Sequence, residues 1–600
     1  METVDLTVIG ADIDRSGWSG LAAIKTYLQV NPSSKVMLLE AASSIGGVWA
    51  KHRLYKGLKS NNMLGTYEFS DFPMDPATFG VQPGQHIPGH VIQQYLERFA
   101  EHFQFRDRIR LNTRVRSAEH RPDGTWLLRT EHHGAAQEVV TRKLIVATGI
   151  TSQAYLPDFP GQEAFDAPLF HCRDLLQYEA ELLQHGRRIT VFGGTKSAWD
   201  AVYAAATAGA QVDWVIRQNG HGPVWMAPPY VTPLKKWLEK LVTTRLLTFF
   251  SPCIWGAADG YPRIRRFLHG TGLGRKIVDA FWRILANDVV QLNRYDAHPE
   301  TAKLKPWISP FWIASGLSIL NYPTDFFELV RSGAVRVHVA NITRLAQGTV
   351  HLSSGTDLPS DALICSTGWK ATPNLDFLPP GLETDCGFPW AADPIPADLL
   401  AAADEEILRR FPRLRNQPAP PKDYAPLAPD APATAAHPFR LARFMVPCSL
   451  ARERSLAFMG IAMTINTTLL AQVQALWITA FFGGSPVLRT TERCPRALRA
   501  VDENDDHADV DAEKLDEKRE QMDLVWETAL HTQFGKWRYP GGFGKRNPDF
   551  VFDAIPYVDL LLNDLGVSSV RKSGIFGRVL SPYGMEDYRG LVEEWMAARQ

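Results

Sequence analysis

Two hydrophobic rhythms alternate along this chain, and their order predicts an α/β architecture built twice. Leu6-Thr7-Val8-Ile9 is a short, nearly continuous apolar run, the pattern of a strand covered on both faces. A helical stretch follows over 17–30, then a second strand, Lys35-Val36-Met37-Leu38-Leu39-Glu40. The same succession restarts at 188–217, where Ile189-Thr190-Val191-Phe192 precedes a helix and then Val212-Asp213-Trp214-Val215-Ile216. Leu144-Ile145-Val146-Ala147 ends in Thr148-Gly149, and Ala362-Leu363-Ile364-Cys365 ends in Ser366-Thr367-Gly368. These two Thr-Gly ends bracket the second unit, so one domain should be inserted into another. The predicted division is a first domain over 1–165 and 341–485, an inserted domain with a helical segment over 166–340, and a C-terminal cap over 486–600.

Other segments read less regularly. Ala462 to Phe482 is long enough to span a bilayer, but Asn466, Gln472 and Gln474 make it a buried helix, and no transmembrane segment is expected. Leu234, Trp237, Leu238, Leu241 and Val242 fall on one helical face with Lys235, Lys236, Lys240 and Arg245 nearby. That face would either rest on a membrane surface or cover a substrate tunnel. Residues 390–437 are rich in Ala and Pro and read as a surface excursion. Asp502 to Glu520 mixes both charge signs, as a solvated helix or linker does, and apolar residues return from Trp526 onward.

Composition narrows the field. The 600 residues carry 64 Lys and Arg against 65 Asp and Glu, so no global field favours nucleic acid. The six cysteines form no C-x-x-C, which argues against a zinc ribbon or a thioredoxin-type pair and for a reducing compartment. Glu2 and Asp5 lead straight into a strand where a signal peptide would be apolar. A soluble, cytoplasmic protein with room for peripheral membrane contact is expected. The 17 tryptophans suit planar ligands or plain core filling equally.

The turns carry the chemistry. The first strand runs into Gly10-Ala11, and the turn completes only at Gly17-Trp18-Ser19-Gly20. Without Asp12 to Ser16 it reads G-A-G-W-S-G, a full G-x-G-x-x-G, whose glycines let backbone N–H groups approach a pyrophosphate at a helix N-terminus. Glu40 ends the neighbouring strand, where a carboxylate accepts hydrogen bonds from an adenosine ribose. The second turn, Gly193-Gly194-Thr195-Lys196-Ser197-Ala198, is continuous, and its partner strand ends in Arg217. A guanidinium there either binds a 2′-phosphate, pointing to NADPH with Lys196 as a second cation, or is an ordinary surface charge. Two dinucleotides on one chain suit hydride transfer between cofactors.

Further residues carry a family resemblance. Gly46-Gly47-Val48-Trp49 follows Glu40, then Ser60-Asn61 and Ser70-Asp71-Phe72-Pro73. Between the units, Phe159-Pro160-Gly161 precedes His171-Cys172-Arg173-Asp174. The chain resembles the flavin-containing monooxygenases over roughly 5–370 and again around 454–482, and its last hundred residues are similar to extended fungal members. The resemblance implies FAD on the first domain, with Gly10, Gly17, Gly20, Glu40, Gly47, Val48, Trp49, Asn61, Thr148, Gly149, Thr367 and Gly368 around it. It implies NADPH on the second, with His171, Gly193, Gly194, Thr195, Lys196, Ser197 and Arg217. In that family reduced FAD reacts with O2 to form a C4a-(hydro)peroxyflavin, which oxygenates a small organic substrate, here expected to be a secondary metabolite.

Asn61 falls where the family brings an amide to the flavin C4a and the nicotinamide ribose, and is the implied catalytic residue. His171 is either near the cofactor or a buried linker histidine. The Thr464–Thr468 segment is expected beside the isoalloxazine. Two other readings stand beside this one. The related Baeyer–Villiger monooxygenases convert ketones to esters or lactones, but they carry an acid where this chain has Asn61 and a tryptophan where it has Leu175. Ala167 replaces the marker glycine of either group. Alternatively, Asp12 to Ser16 block FAD, and the protein is a defective homologue that acts as a binding partner.

Overall fold

Two β-sheets organise the chain, each grown around one of the two apolar strand pairs. The computed structural model describes residues 2–10, 17–149, 153–232, 235–313, 316–370, 372, 375–427, 436–499, 512–545 and 548–599. Glu2–Ile9 lies inside an eight-stranded mixed sheet, parallel to Val36–Leu39 on one side and to Ala135–Val146 on the other. Leu6, Thr7 and Val8 are all completely buried, which explains why this strand shows no polar alternation. Beyond Ala135–Val146 the sheet turns antiparallel through Trp126–His132 and Thr113–His120. The end of Ala135–Val146 changes partner and pairs in parallel with Leu456–Phe458, while Asp376–Leu378 joins the far edge. Chain from both sides of the insertion therefore builds the first sheet.

The inserted unit holds five parallel strands in the order Val335–Val339, Gln211–Ile216, Arg188–Phe192, Ala362–Cys365, Leu169–His171. This moves the boundary expected at 340. Ala362–Cys365 sits between Arg188–Phe192 and Leu169–His171, so the inserted unit runs to about Ser366. A parallel sheet needs a long crossover, and here residues 342–359 supply it as a three-stranded antiparallel sheet. The chain crosses between the two units at two adjacent places. Ala154 and Trp369 form an antiparallel bridge, and the Tyr155 N–H donates to the Gly368 carbonyl at 3.0 Å.

The helices join these sheets to the C-terminal region. Trp18–Val30 packs against Thr467–Phe482, whose residues from Thr468 onward are all buried. Ala554–Leu565 covers another side of that helix, which is why the helix has no polar face. The core that starts at Leu6 and Val8 continues through Trp255 and Trp282 of the inserted helical segment to Tyr557 and Tyr588. The cap is thus part of one core. Part of the mixed-charge stretch becomes the helix Ala512–Arg538, and residues 501–511 lie outside the described residues.

Buried ions fix these contacts. Arg443, 1% exposed, donates to Asp564 at 2.7 Å and to Glu527 at 2.5 Å. Arg245 binds both carboxylate oxygens of Asp559, and its Nε reaches the Tyr583 hydroxyl at 3.0 Å. The expected amphipathic face over 234–245 is consequently not a membrane-surface helix. Lys236–Trp237 pairs with Tyr230–Val231, Leu238 and Val242 point inward, and Arg245 is buried; Leu234 lies outside the described residues. Among the described residues no helix is long and apolar enough to cross a membrane, and no cluster of side chains could hold a metal.

Burial also makes stability depend on pH. Burial, aided by Arg173, lowers His171 to about 4; burial with Arg265 lowers His269 to about 3; burial lowers His531 to about 4 against the pull of Glu527. The unfolded chain takes up these protons near pH 6.5, whereas the folded chain resists them until far lower pH. Stability is therefore full above 6.5 and falls as pH drops, by up to about 1.4 kcal/mol per pH unit for each histidine. Thermal melts at pH 7.0 and pH 5.0 should show a lower midpoint at pH 5.0.

Candidate functional site

The first turn is shaped by backbones in contact. Gly17 precedes the helix Trp18–Val30 and lies so close to Gly46 that a Cβ on it would stand 3.1 Å from the Gly46 carbonyl oxygen. Gly46 itself has φ +129° and would drive a Cβ to 2.9 Å from the Trp49 backbone. The helix has no side-chain cap and no acid in its first turn, so its leading N–H groups, including that of Gly20, remain available for an anion. Gly10 donates its N–H to Leu39 at 2.8 Å, which sets the turn beside the end of Val36–Leu39. Glu40 follows there, 1% exposed, with one carboxylate oxygen accepting from the Ala42 N–H at 2.9 Å. Asp12 to Ser16 lie outside the described residues.

Turn, uncapped helix and acid thus occupy neighbouring parallel strands, and these residues fit a dinucleotide. Gly47–Trp49 forms a short helical turn with Val48 packed against the core and Trp49 buried beside Tyr67. Thr148 and Gly149 end the central strand, and Gly149 meets Gly460 and Ser19 where that strand faces the helix start. The matching Thr367-Gly368 does not join them on the same sheet. It ends a strand of the second sheet, and the Thr367 hydroxyl donates to the Tyr155 carbonyl at the chain crossing.

The second turn is equally close-packed. Gly193, at φ +133°, would bring a Cβ to 2.4 Å from the Ser366 carbonyl oxygen, and Gly194 would bring one to 2.7 Å from that of Gly222. Thr195 and Ser197 stand exposed at the start of the helix Lys196–Thr207, which also has no side-chain cap. Lys196 turns elsewhere than expected. It pairs with Asp200, donates to Asn321 Oδ1 at 3.0 Å, and lies over the Tyr322 ring. Arg217 keeps its own neighbourhood at the strand end, where it donates to the Ala425 carbonyl at 3.2 Å. The Ala/Pro-rich excursion is anchored there by a second bond, from the Ala425 N–H to Asn219 at 3.0 Å. The two cations share no contact.

His171 is a buried strand-end residue, 1% exposed, with its ring edge-on to Trp369 and Nδ1 accepting from the Arg173 N–H at 3.2 Å. Its lowered pKa keeps it neutral near pH 7. Asn61 sits half-buried on the strand Lys59–Met63. Both neighbours are tied down. The Ser60 hydroxyl donates to the Asn62 carbonyl at 2.5 Å, and Asn62 Nδ2 donates to Glu239 at 2.5 Å and to the Ile465 carbonyl at 3.0 Å. Asn61 takes no part in these bonds, so its amide is not consumed by holding the strand.

Glu239 is the residue that sequence reasoning missed. It is 2% exposed and also accepts from the Met63 N–H at 3.0 Å, the Thr66 hydroxyl at 2.7 Å and the Trp237 indole at 2.7 Å. Burial raises its pKa while these donors oppose the shift. Its signal was a lone acid among Lys235, Lys236 and Lys240. Asn321 was missed as well. Its amide donates to the carbonyls of Lys59 and Ser60, both at 3.1 Å, so the inserted unit grips the Asn61 strand from a second direction. Nothing local in the sequence marks it.

Beside this strand a cleft is lined by Thr66, Glu239, Asn466, Thr468 and, from the cap, Tyr583 and Glu586. Asn466 Nδ2 and Thr468 Oγ1 are buried there without partners. Both belong to the segment leading into Thr467–Phe482, which the cap holds through backbone bonds from Met463 to Pro548 and from Phe550 to Met463, each 2.8 Å.

Residues 5–232 match the flavin-binding monooxygenase-like family. Along its whole length the chain is similar to an FAD-dependent monooxygenase, rstn6, of Aspergillus nomiae, at 32% identity over 99% of this chain and 98% of that protein. An FAD-dependent monooxygenase of Pyrenophora dematioidea is 33% identical over 95% of this chain and 98% of its own length. Among solved structures, the closed form of cyclohexanone monooxygenase superposes with a TM-score of 0.55 at 16% identity, covering 100% of this chain and 98% of that one, which shows a shared fold. The chain belongs to the flavin-binding monooxygenase-like family and is an oxidoreductase.

Replacing Glu239 by alanine would leave four donors without their acceptor, at about 1–3 kcal/mol for each that water does not reach. A Glu239→Ala protein should melt several degrees lower, and Glu239→Gln, which keeps one acceptor oxygen, should recover part of the loss in the same melt.

Proposed function

We propose that the protein is an NADPH- and O2-dependent flavoprotein monooxygenase that transfers one oxygen atom to a small organic substrate, expected to be a secondary metabolite, and releases the other as water. On this reading FAD lies along the first sheet. The backbones of Gly10, Gly17 and Gly20 face its pyrophosphate, Glu40 its ribose, and Gly47-Val48-Trp49 with Thr148-Gly149 flank the rest. NADPH lies along the second sheet, with Gly193 to Ser197 at its pyrophosphate and Arg217 at its 2′-phosphate. Lys196, already paired with Asp200, steadies Asn321. Bound FAD, reduced by NADPH, supplies the oxygen-activating chemistry.

The observation that most supports this reading is the position of the Asn61 strand. It belongs to the first domain, yet Asn321 of the inserted unit and Glu239 of its helical segment hold it in place. A ring carried by each sheet would meet beside it. There the Asn61 amide donates a hydrogen bond to the reacting oxygen, and its carbonyl accepts from the nicotinamide ribose. A neutral donor favours transfer of an electrophilic oxygen to nitrogen, sulfur or activated carbon, whereas a carboxylate at this position would favour attack on a ketone. The cap wall at Tyr583 and Glu586 keeps water from the cleft.

The purified protein should be yellow with near-stoichiometric flavin; a colourless protein that stays colourless with added FAD would end the enzyme reading. NADPH-driven oxygen uptake should rise with an amine or a sulfide. A lactone or ester formed from a ketone would instead establish Baeyer–Villiger chemistry. Arg217→Ala should raise the KM for NADPH about 10- to 100-fold and leave that for NADH nearly unchanged, because only the 2′-phosphate contact is lost.

A further inference from the structure

The inserted helical segment leaves one apolar face uncovered. Helix Gly272–Asn293 buries Gly274, Val278, Trp282 and Val289 against the protein. On an ordinary surface helix the opposite side is polar. Here Leu273, Ile277 and Ile284 recur at i, i+4 and i+11 along the outer side, and they are 64%, 39% and 69% exposed. The preceding helix, Pro262–Gly270, packs against this one and adds Ile264 and Phe267, 41% and 43% exposed. A patch of this kind on a folded protein marks an interaction surface.

Charge selects the partner. Arg263, Arg266, Lys276 and Arg283 are all exposed on the same hairpin. The single acid between Pro262 and Ile284 is Asp279, and it is paired with Arg413. Over the whole chain acids and bases balance, so this excess is local. A second copy docked on the face would set cations against cations. An anionic lipid surface satisfies both features, with apolar side chains entering the interface and cations meeting phosphates. We propose that the hairpin Pro262–Ile284 docks the protein on an anionic membrane surface without crossing it. A neighbouring element extends the patch: Ile575 and Phe576, 65% and 78% exposed, lie with Arg578 on a helix packed against Arg245–Phe249, which also touches Pro262–Gly270.

The test is flotation of the full-length, FAD-loaded protein with vesicles of phosphatidylcholine alone or with about 30% phosphatidylserine. Binding is expected only to the anionic vesicles and should weaken in high salt. The double variants Ile277→Ser/Ile284→Ser and Lys276→Glu/Arg283→Glu change exposed side chains outside the proposed cofactor site. Each should bind at least about tenfold more weakly while keeping the flavin spectrum and melting temperature of the parent. The proposal is overturned if the parent protein ignores anionic vesicles, if it binds neutral ones equally well, or if both variants bind like the parent. It is also overturned if light scattering finds a dimer that Ile277→Ser/Ile284→Ser dissociates, since the face then serves self-association.

Discussion

A cation taken out of water has to be met completely or the fold does not close, and Arg443 imposes that condition on four parts of this chain. Its guanidinium reaches Glu527 on the long C-terminal helix and Asp564 on Ala554–Leu565, and it also donates to the Arg489 carbonyl. Asp564 in turn accepts from the Trp477 indole on Thr467–Phe482. Arg443 and Phe444 adopt φ of +52° and +58°, a conformation non-glycine residues rarely hold. The Tyr557 hydroxyl fixes that turn by donating to the Arg443 carbonyl at 2.7 Å. Burying such ions costs several kcal/mol each unless their geometry is complete, so the cap has one acceptable docking register. Because Thr467–Phe482 packs on Trp18–Val30, this register extends to the helix that begins at Gly17.

The inserted unit uses a second kind of constraint. Glu239 meets Asn62, Met63, Thr66 and Trp237, so one carboxylate satisfies four donors from two separate pieces of chain. Arg245, six residues on, is spent on Asp559 and Tyr583 in the cap. The inserted helical segment is therefore wedged between the first domain and the cap, and the cleft beside Asn466 has a wall from each.

What could be read from sequence was what is decided locally. The apolar runs gave both strand pairs, because a strand covered on both faces needs no longer-range information. The glycines at 17, 46 and 193 sit where backbones come within a Cβ of each other, and Glu40 lies at the strand end its spacing required. The boundary at 340 was misplaced because the crossover to Ala362–Cys365 is a small sheet in place of the usual helix. Lys196 looked like a free cation, although Asp200 four residues later was a legible sign of its partner. Asn321 and Ala425 could not be found at all, since each matters only through residues more than a hundred positions away. The face over 234–245 was read as one amphipathic helix, but its charges are consumed by partners in the cap and first domain.

The paired crossings at Ala154 and Trp369 have a mechanical corollary. Two adjacent extended strands form an axis, and a sheet hung on them alone could swing like a door on one hinge. Here the door has been partly nailed to its frame, because the segment inserted between Ile216 and Val335 is fastened to the other side at Glu239 and Arg245. Any swing of the five-stranded sheet must then be taken up where that segment leaves and re-enters it, around 217–225 and 319–335. Substrate entry and nucleotide exchange would be geared through those two short stretches, leaving the walls of the cleft at rest while the nicotinamide side moves.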